Sequence, residues 1–156
     1  MKYPVYKGRE LVASDEALMS DKELFIQLDY DRGGKNLCWN NFFVEIGKNK
    51  EYRGQWTKDR HKPVWEGLGT LKFADGSRYQ GQAKNGLFNG VGRMTHANGD
   101  IYQGHWKDGK ASGEGTFVDT QGSMYKGPWM NDMYHGRGVE TWNHNTIKYE
   151  GDFLKG

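Results

Sequence analysis

The sequence predicts a mainly β protein: an elongated, twisted antiparallel sheet of consecutive hairpins, with a short N-terminal α-helical segment. Three observations support this fold class. Glycine is abundant, at 23 of 156 residues, which is about twice its usual share of roughly 7%. Aromatic residues make up 14% of the chain although all hydrophobic residues together reach only 35%. The third observation is a repeat of about 23 residues that fills the last two thirds of the chain.

The repeat is marked by the pattern Tyr-x-Gly, which opens five successive segments of the chain at intervals of 23 to 27 residues. The last four of its tyrosines are 23, 23 and 24 residues apart, and the first gap is 27. In three units a Gly-x-Gly follows the tyrosine by 11 residues, and in the first unit by 15, so that "TKDRHKPVWEG" holds a four-residue insertion. A fixed period of this length indicates a repeat architecture. The tyrosines are Tyr52, Tyr79, Tyr102, Tyr125 and Tyr149.

Each unit begins with a strand that has two different faces. The alternation of a strand places Tyr102, Gly104 and Trp106 of "YQGHW" on one face, and Gln103 and His105 on the other. We call the first the aromatic face and the second the polar face. Because the polar face is expected to be solvated, we expect Gln103→Val to be nearly neutral for stability.

Turn dipeptides connect these strands. Asp-Gly and Asn-Gly favour the type I′ turn, whose twist matches that of the flanking strands. Each unit is therefore predicted to be one hairpin, and consecutive hairpins are expected to pair edge to edge. The turns inside units are predicted at Asn85-Gly86, Asp108-Gly109 and, with a departure from the pattern, Asn131-Asp132; those between units are predicted at Asp75-Gly76, Asn98-Gly99 and Gln121-Gly122.

The glycines of the aromatic face have a packing role in this prediction. Each leaves a slot in which a neighbouring tyrosine or tryptophan ring can lie flat against the backbone. A side chain at Gly104 or Gly127 would collide with a ring, so a valine there is expected to destabilise the fold.

These residues resemble the MORN (membrane occupation and recognition nexus) repeat, whose pattern is approximately Y-x-G-x-W-x-x-G, a short spacer, and G-x-G. "YQGHWKDGKASGEGTF" and "YKGPWMNDMYHGRGVE" match it nearly throughout, and "YQGQAKNGLFNGVGRM" has Ala83 in place of the aromatic residue. The resemblance covers residues 52–156. It implies a sheet of MORN hairpin repeats that acts as a scaffold for partner helices or extended peptides, often in cytoskeletal or ciliary assemblies.

The chain is predicted to divide near residue 50. Residues 1–50 form an N-terminal extension with a helix at about 14–28, for which Ser14 is the N-cap, and one or two strands in "LCWNNFFVEIGKNK". Residues 51–156 form the repeat ribbon of four units and a C-terminal half unit.

Composition narrows the class of protein. The net charge of +2 comes from 22 basic and 20 acidic residues spread along the chain, so no basic patch predicts nucleic-acid binding. Cys38, the single cysteine, cannot form an internal disulfide. The N-terminus lacks a signal-peptide core and no apolar run approaches the roughly 18 residues of a membrane span. We therefore expect a cytoplasmic protein. The resemblance further implies a cytoskeletal or ciliary location, and import into an organelle stays open.

No catalytic or metal-binding constellation is predicted. The five histidines lack a metal-ligand spacing such as H-x-x-x-H, and His135 fills a structural position of the MORN pattern. Asp75, Asp100 and Asp108 lie in or beside turns, where aspartate caps backbone amides. We expect no cofactor and no enzymatic activity.

The leading functional hypothesis is a scaffold that binds protein partners, as a helix or an extended peptide, through the aromatic face. A partner, another copy of the chain or the N-terminal helix could cover that face. In the last case Leu18, Leu24, Phe25 and Leu28 would close a small core. The residues predicted to contact the partner are Phe88, Tyr102, Trp106, Tyr125, Trp129 and Tyr134.

Two alternatives stay open. Peripheral binding to anionic lipids would use Lys58, Arg60 and Lys62, although a cluster of about 4 to 8 basic residues is usual for such binding, so membrane contact is expected to be weak. The repeats could also be the regulatory region of a larger enzyme. The oligomeric state is not predicted.

Overall fold

One antiparallel sheet contains all the strands of the structure. The computed structural model describes residues 37–57, 63–142, 144 and 146–154, without the side chains of residues 38–40. The spatial order of the strands is their order in the chain, and each pairs with the next. The predicted mainly β fold of consecutive hairpins is confirmed. The strands are β1 (Leu37–Glu45), β2 (Lys50–Thr57), β3 (Trp65–Phe73), β4 (Arg78–Lys84), β5 (Leu87–Thr95), β6 (Ile101–Lys107), β7 (Lys110–Val118), β8 (Met124–Met130), β9 (Met133–Trp142) and β10 (Ile147–Leu154).

The N-terminal extension contributes one strand to this sheet. Of the one or two strands predicted there, the structure has β1, which pairs antiparallel with β2. The predicted helix at about 14–28 and its apolar residues lie outside the described residues. The same holds for Lys58, Arg60 and Lys62.

The turns inside the units have the dihedral angles that the dipeptides predict. Both residues of Asn85-Gly86 have positive φ, 52° and 73°, and so do Asp108 and Gly109, with 49° and 84°. Asp132, which stands where the other units have glycine, also adopts a positive φ of 68°. The type I′ turn is therefore kept in the fourth unit, because aspartate tolerates the left-handed region better than most residues.

The three predicted turns between units are three-residue loops. The backbone N–H of Phe73 donates to the carbonyl of Ser77 at 3.0 Å, and Gly76 donates to Phe73 at 3.1 Å. Gly76 has a φ of 93°, as the left-handed position of such a loop requires. The Asp75 carboxylate accepts the N–H of Ser77 at 2.8 Å, which confirms its predicted capping role.

A bulge interrupts the register of each unit at the same place. Between β6 and β7, Gly104 pairs with Gly115, but the next pair is Trp106 with Ala111, so the returning strand has extra residues there. The first glycine of the Gly-x-Gly pattern, Gly113, lies in this bulge with a φ of 102°. In the first unit Trp56 pairs with Trp65, and the four extra residues lie between these two in the sequence.

Candidate functional site

The aromatic face begins with a row of tyrosines, each of which extends along its own strand. The Tyr102 hydroxyl donates to the carbonyl of His105, three residues ahead, at 2.8 Å. The same bond joins Tyr79 to Gln82 at 2.7 Å. It recurs in the units of Tyr52, Tyr125 and Tyr149. The bulge leaves this carbonyl available, because the strand pairing is interrupted beside it.

Two glycines make room for the ring in each of the four full units. A Cβ built on Gly104 would lie 2.7 Å from the Tyr102 hydroxyl oxygen and 2.5 Å from the Cα of Gly115. A Cβ on Gly115 would lie 2.5 Å from the same hydroxyl oxygen. All three distances are far below van der Waals contact, so the predicted glycine slots are confirmed. In each pair the ring belongs to the tyrosine two residues before the first glycine, and it reaches the second glycine on the neighbouring strand.

Tryptophans connect one repeat to the previous one. The Trp106 indole N–H donates to the Gly92 carbonyl of the preceding unit at 3.1 Å. Its ring lies 4.9 Å from that of Tyr102 and 5.4 Å from that of Tyr79, edge to face in both cases. Trp129 repeats this arrangement and donates to Gly115 at 3.3 Å. The rings therefore form a continuous cluster from unit to unit.

A second aromatic residue stacks on the tyrosine in some units. Phe88 stacks on Tyr79 with ring centroids 3.9 Å apart, and Tyr134 stacks on Tyr125 at 3.7 Å with an interplanar angle of 5°. The third unit has Ala111 at the equivalent position. There the edge of a tryptophan from the next unit approaches Tyr102 at 4.8 Å.

Burial divides the six predicted contact residues into two groups. Tyr102, Trp106 and Tyr125 are buried, with 3%, 8% and 0% of their surface exposed, so they form the floor of the aromatic face. Phe88, Trp129 and Tyr134 are half-buried and lie over that floor. The binding role of all six stays a prediction. The half-buried group is the part of the set that a partner can reach.

The buried tyrosines are held in their neutral form. Burial raises the pKa of Tyr52, Tyr79 and Tyr102 well above the ordinary value of 10.0. Burial also raises the pKa of Tyr134 to about 12. The tyrosines of the floor of the aromatic face therefore stay uncharged to above pH 10, and the floor suits apolar contact.

One carboxylate interrupts the aromatic face near its C-terminal end. Glu140 pairs with Tyr125 of β8 and with Tyr149 of β10, so it lies between two tyrosine strands on this face. Its side chain is half-buried, and desolvation raises its pKa above 4.5. The sequence prediction missed this residue, although comparison of the units finds it: the equivalent positions hold Leu71, Met94 and Phe117.

The middle of the polar face is buried as well, which the sequence prediction did not anticipate. Gln103 has only 8% of its surface exposed. Its side-chain oxygen accepts two hydrogen bonds from the guanidinium of Arg93, at 3.0 and 2.6 Å. Gln103 is therefore a structural residue, so the expectation that it is solvated is wrong, and we expect valine there to be destabilising.

The described residues show no metal centre. No group of three or more histidine, cysteine, aspartate or glutamate side chains comes together within residues 37–57, 63–142, 144 and 146–154.

Asp100 accepts the backbone N–H of Thr120 at 3.0 Å, which ties one inter-unit turn to the next. Among the described residues, no helix has the length and hydropathy that crossing a bilayer requires.

The fold and this face define a β-hairpin repeat protein whose units share one tyrosine-glycine core. The sequence model of the MORN repeat matches four consecutive segments, residues 64–78, 79–101, 102–124 and 125–143. These segments cover just over half of the chain, so the protein belongs to the MORN repeat family. That family is generally non-enzymatic. A comparison with curated proteins found no match.

Proposed function

We propose that this chain is a non-catalytic scaffold that binds a protein partner, as a helix or an extended segment, along the aromatic face. The observation that carries the proposal is the partial exposure of Phe88, Trp129 and Tyr134 above a floor that is already packed. Burying an aromatic side chain removes about 150 to 250 Å² from water, worth a gross 4 to 6 kcal/mol at about 25 cal/mol per Å². Part of the surface of the half-buried rings still faces water. A partner that covers these rings gains the free energy of burying that remaining part.

The dimensions of the face fit a single long segment. Neighbouring strands lie about 4.8 Å apart, so the seven spacings between β2 and β9 extend over about 34 Å. A helix rises about 1.5 Å per residue, and one of about 25 residues would span the face. The proposed setting is a larger cytoskeletal or ciliary assembly.

Pull-down from the source cell, followed by crosslinking, tests the proposal. Phe88→Ala and Tyr134→Ala should reduce recovery of the partner, because each removes a reachable ring. Lys126→Ala is the matched control, since Lys126 is exposed on the polar face of the fourth unit. Each variant must first show the circular dichroism and melting transition of a folded sheet. Partner recovery that survives both ring substitutions and falls with the control would contradict the proposal.

Cosedimentation with anionic vesicles separates this function from lipid binding. Salt-sensitive binding that is lost when Lys58, Arg60 and Lys62 become alanine would favour the lipid hypothesis. At physiological ionic strength the screening length is about 8 Å, and so small a basic group should retain little vesicle-bound protein. An enzyme domain encoded with these repeats in the source transcript would favour the third hypothesis, a regulatory region.

A further inference from the structure

The carboxylate of Glu140 occupies a place that the repeat reserves for apolar side chains. It is the second residue after the last glycine of Gly-x-Gly, where the other three units have Leu71, Met94 and Phe117. Leu71 and Met94 belong to the buried core with the tyrosines, and Phe117 is partly buried and packs against that core. At this position the fourth unit thus replaces an apolar side chain with a negatively charged one.

This charge is not compensated by the rest of the sheet. No hydrogen bond or ion pair joins the Glu140 side chain to another residue in the described part of the chain. Its surroundings are partly apolar, and desolvation raises its pKa. Burial is the main cause that raises the pKa of Tyr125 and of Tyr134, and the charge of Glu140 raises both further. A half-buried carboxylate without a partner costs free energy in the isolated protein, and a cation supplied from outside would recover it.

The side chains around Glu140 suit the long stem of a basic residue. Tyr149, paired with Glu140, is 44% exposed, and Ile147 is 51% exposed. Ile147 pairs with Trp142, which is half-buried. Lysine and arginine bury their methylene groups on apolar surface while the charged end meets an acceptor, and they also bind the faces of aromatic rings. Glu140, Trp142, Ile147 and Tyr149 together offer apolar surface, an anionic acceptor and aromatic rings. We call these four residues the C-terminal patch.

We propose that the C-terminal patch binds a lysine or arginine side chain of the partner segment, with Glu140 as its counter-ion. The proposal rests on the proposed function, since it names the chemistry of the partner that lies along the aromatic face. The charge fixes which end of the segment lies over β9 and β10. It also gives the scaffold selectivity that rings alone do not supply, because electrostatic complementarity acts mainly on specificity.

A displayed library of random peptides, selected on immobilised full-length protein, tests this inference. Selection is run in parallel on wild type, Glu140→Gln and Glu114→Gln. Glu114 is the matched control, because it is an exposed carboxylate on the polar face. We expect peptides from wild type and from Glu114→Gln to share a lysine or arginine at one aligned position, and peptides from Glu140→Gln to lack it.

A binding cycle then measures the contact. One selected peptide and its Lys→Gln version are titrated against wild type and Glu140→Gln by fluorescence anisotropy. We expect Glu140→Gln to weaken the lysine peptide about fivefold to thirtyfold, as a partly desolvated charge pair would, and to leave the glutamine peptide within about twofold. Equal losses for both peptides would overturn the inference.

The outcomes keep the two proposals apart. Selected peptides that require Phe88 and Tyr134 but show no basic preference support the aromatic-face function and overturn the role of Glu140. Peptides that bind independently of both rings overturn the proposed function, and the inference with it. Neither result depends on a folding defect, because Glu140→Gln keeps the shape of the side chain and its melting transition is measured first.

Discussion

The ring of Tyr102 lies so close to Gly115, on the neighbouring strand, that a Cβ on that glycine would stand 2.5 Å from the tyrosine hydroxyl oxygen. Gly104 pairs directly with Gly115 beneath the same ring. The unit of this fold is therefore a tyrosine over two backbone segments that approach each other without side chains. The residues that make this contact are those that the pattern Tyr-x-Gly and the later Gly-x-Gly specify in the sequence.

Substitution of Gly104 tests this contact. Gly104→Ala should lower the free energy of unfolding by about 1 to 3 kcal/mol, because the new methyl group meets both the Tyr102 hydroxyl and the Gly115 backbone. Gly104→Val should cost more than alanine. Chemical denaturation measures the loss, and Ser112→Ala, in the β7 bulge, is a control that adds no atom. Wild-type stability in Gly104→Val would refute the packing described here.

The tyrosine hydroxyls make a separate contribution. Tyr102→Phe removes the hydrogen bond to the His105 carbonyl at 2.8 Å, and we expect a loss of about 0.5 to 1.5 kcal/mol. Tyr149→Phe is the matched control, since Tyr149 is 44% exposed and its equivalent bond measures 3.3 Å. A smaller loss at Tyr102 than at Tyr149 in urea denaturation would show that burial does not strengthen this bond.

Alkaline pH should unfold the sheet. Burial raises the folded-state pKa of Tyr52, Tyr79 and Tyr102 above the ordinary 10.0, so the folded protein holds protons that the unfolded chain releases. The stability that this gives is fully present below pH 10 and is lost as the pH rises through the folded-state pKa values. Each such tyrosine lowers stability by about 1.4 kcal/mol per pH unit in that interval. Urea denaturation between pH 9 and pH 12 measures the slope, which Tyr102→Phe should reduce. A slope independent of this substitution would contradict the burial of that hydroxyl.

Glu140→Leu should stabilise the isolated protein. Because the pKa of Glu140 is raised above 4.5, its contribution to stability is fully present below that pH and is lost as the pH rises through the folded-state pKa. At pH 7 the carboxylate is therefore unfavourable, and leucine, as at Leu71 of the first unit, should gain about 0.5 to 2 kcal/mol. Thermal melts at pH 4 and pH 7 measure the difference. A variant less stable than wild type at pH 7 would show that the charge is compensated in the free protein.

The polar face should be sensitive where it is buried. Gln103→Val leaves the Arg93 guanidinium without the oxygen that accepts two of its hydrogen bonds, and we expect a loss of about 1 to 3 kcal/mol. Gln121→Val, in an exposed turn, should change stability by less than about 0.5 kcal/mol. If the two variants melt at the same temperature, the hydrogen bonds from Arg93 to Gln103 do not contribute measurably to stability.

The sequence predicts the hairpins well because their signals are local. Asp108-Gly109 determines its turn through the dihedral angles of two residues, and the alternation of Tyr102 and Gln103 determines the two faces. The route of the Tyr102 ring to the carbonyl of His105 could not be predicted, since it depends on a bulge that arises from the pairing of two strands. Likewise the burial of Gln103 comes from neighbours on both adjacent strands. The place of Glu140 between Tyr125 and Tyr149 follows from the strand register. No single unit contains that register, so the sequence of one unit could not predict it.

Site-specific photocrosslinking measures most directly whether a partner occupies the aromatic face. A photoreactive phenylalanine analogue replaces Tyr134 on the aromatic face in one protein and Lys126 on the polar face in another, and both are irradiated in extract of the source cell. The account predicts one discrete crosslinked protein from position 134, competed away by unlabelled wild type, and none from position 126. A crosslink to the same protein from position 126 alone would contradict it, because the partner would then lie on the polar face.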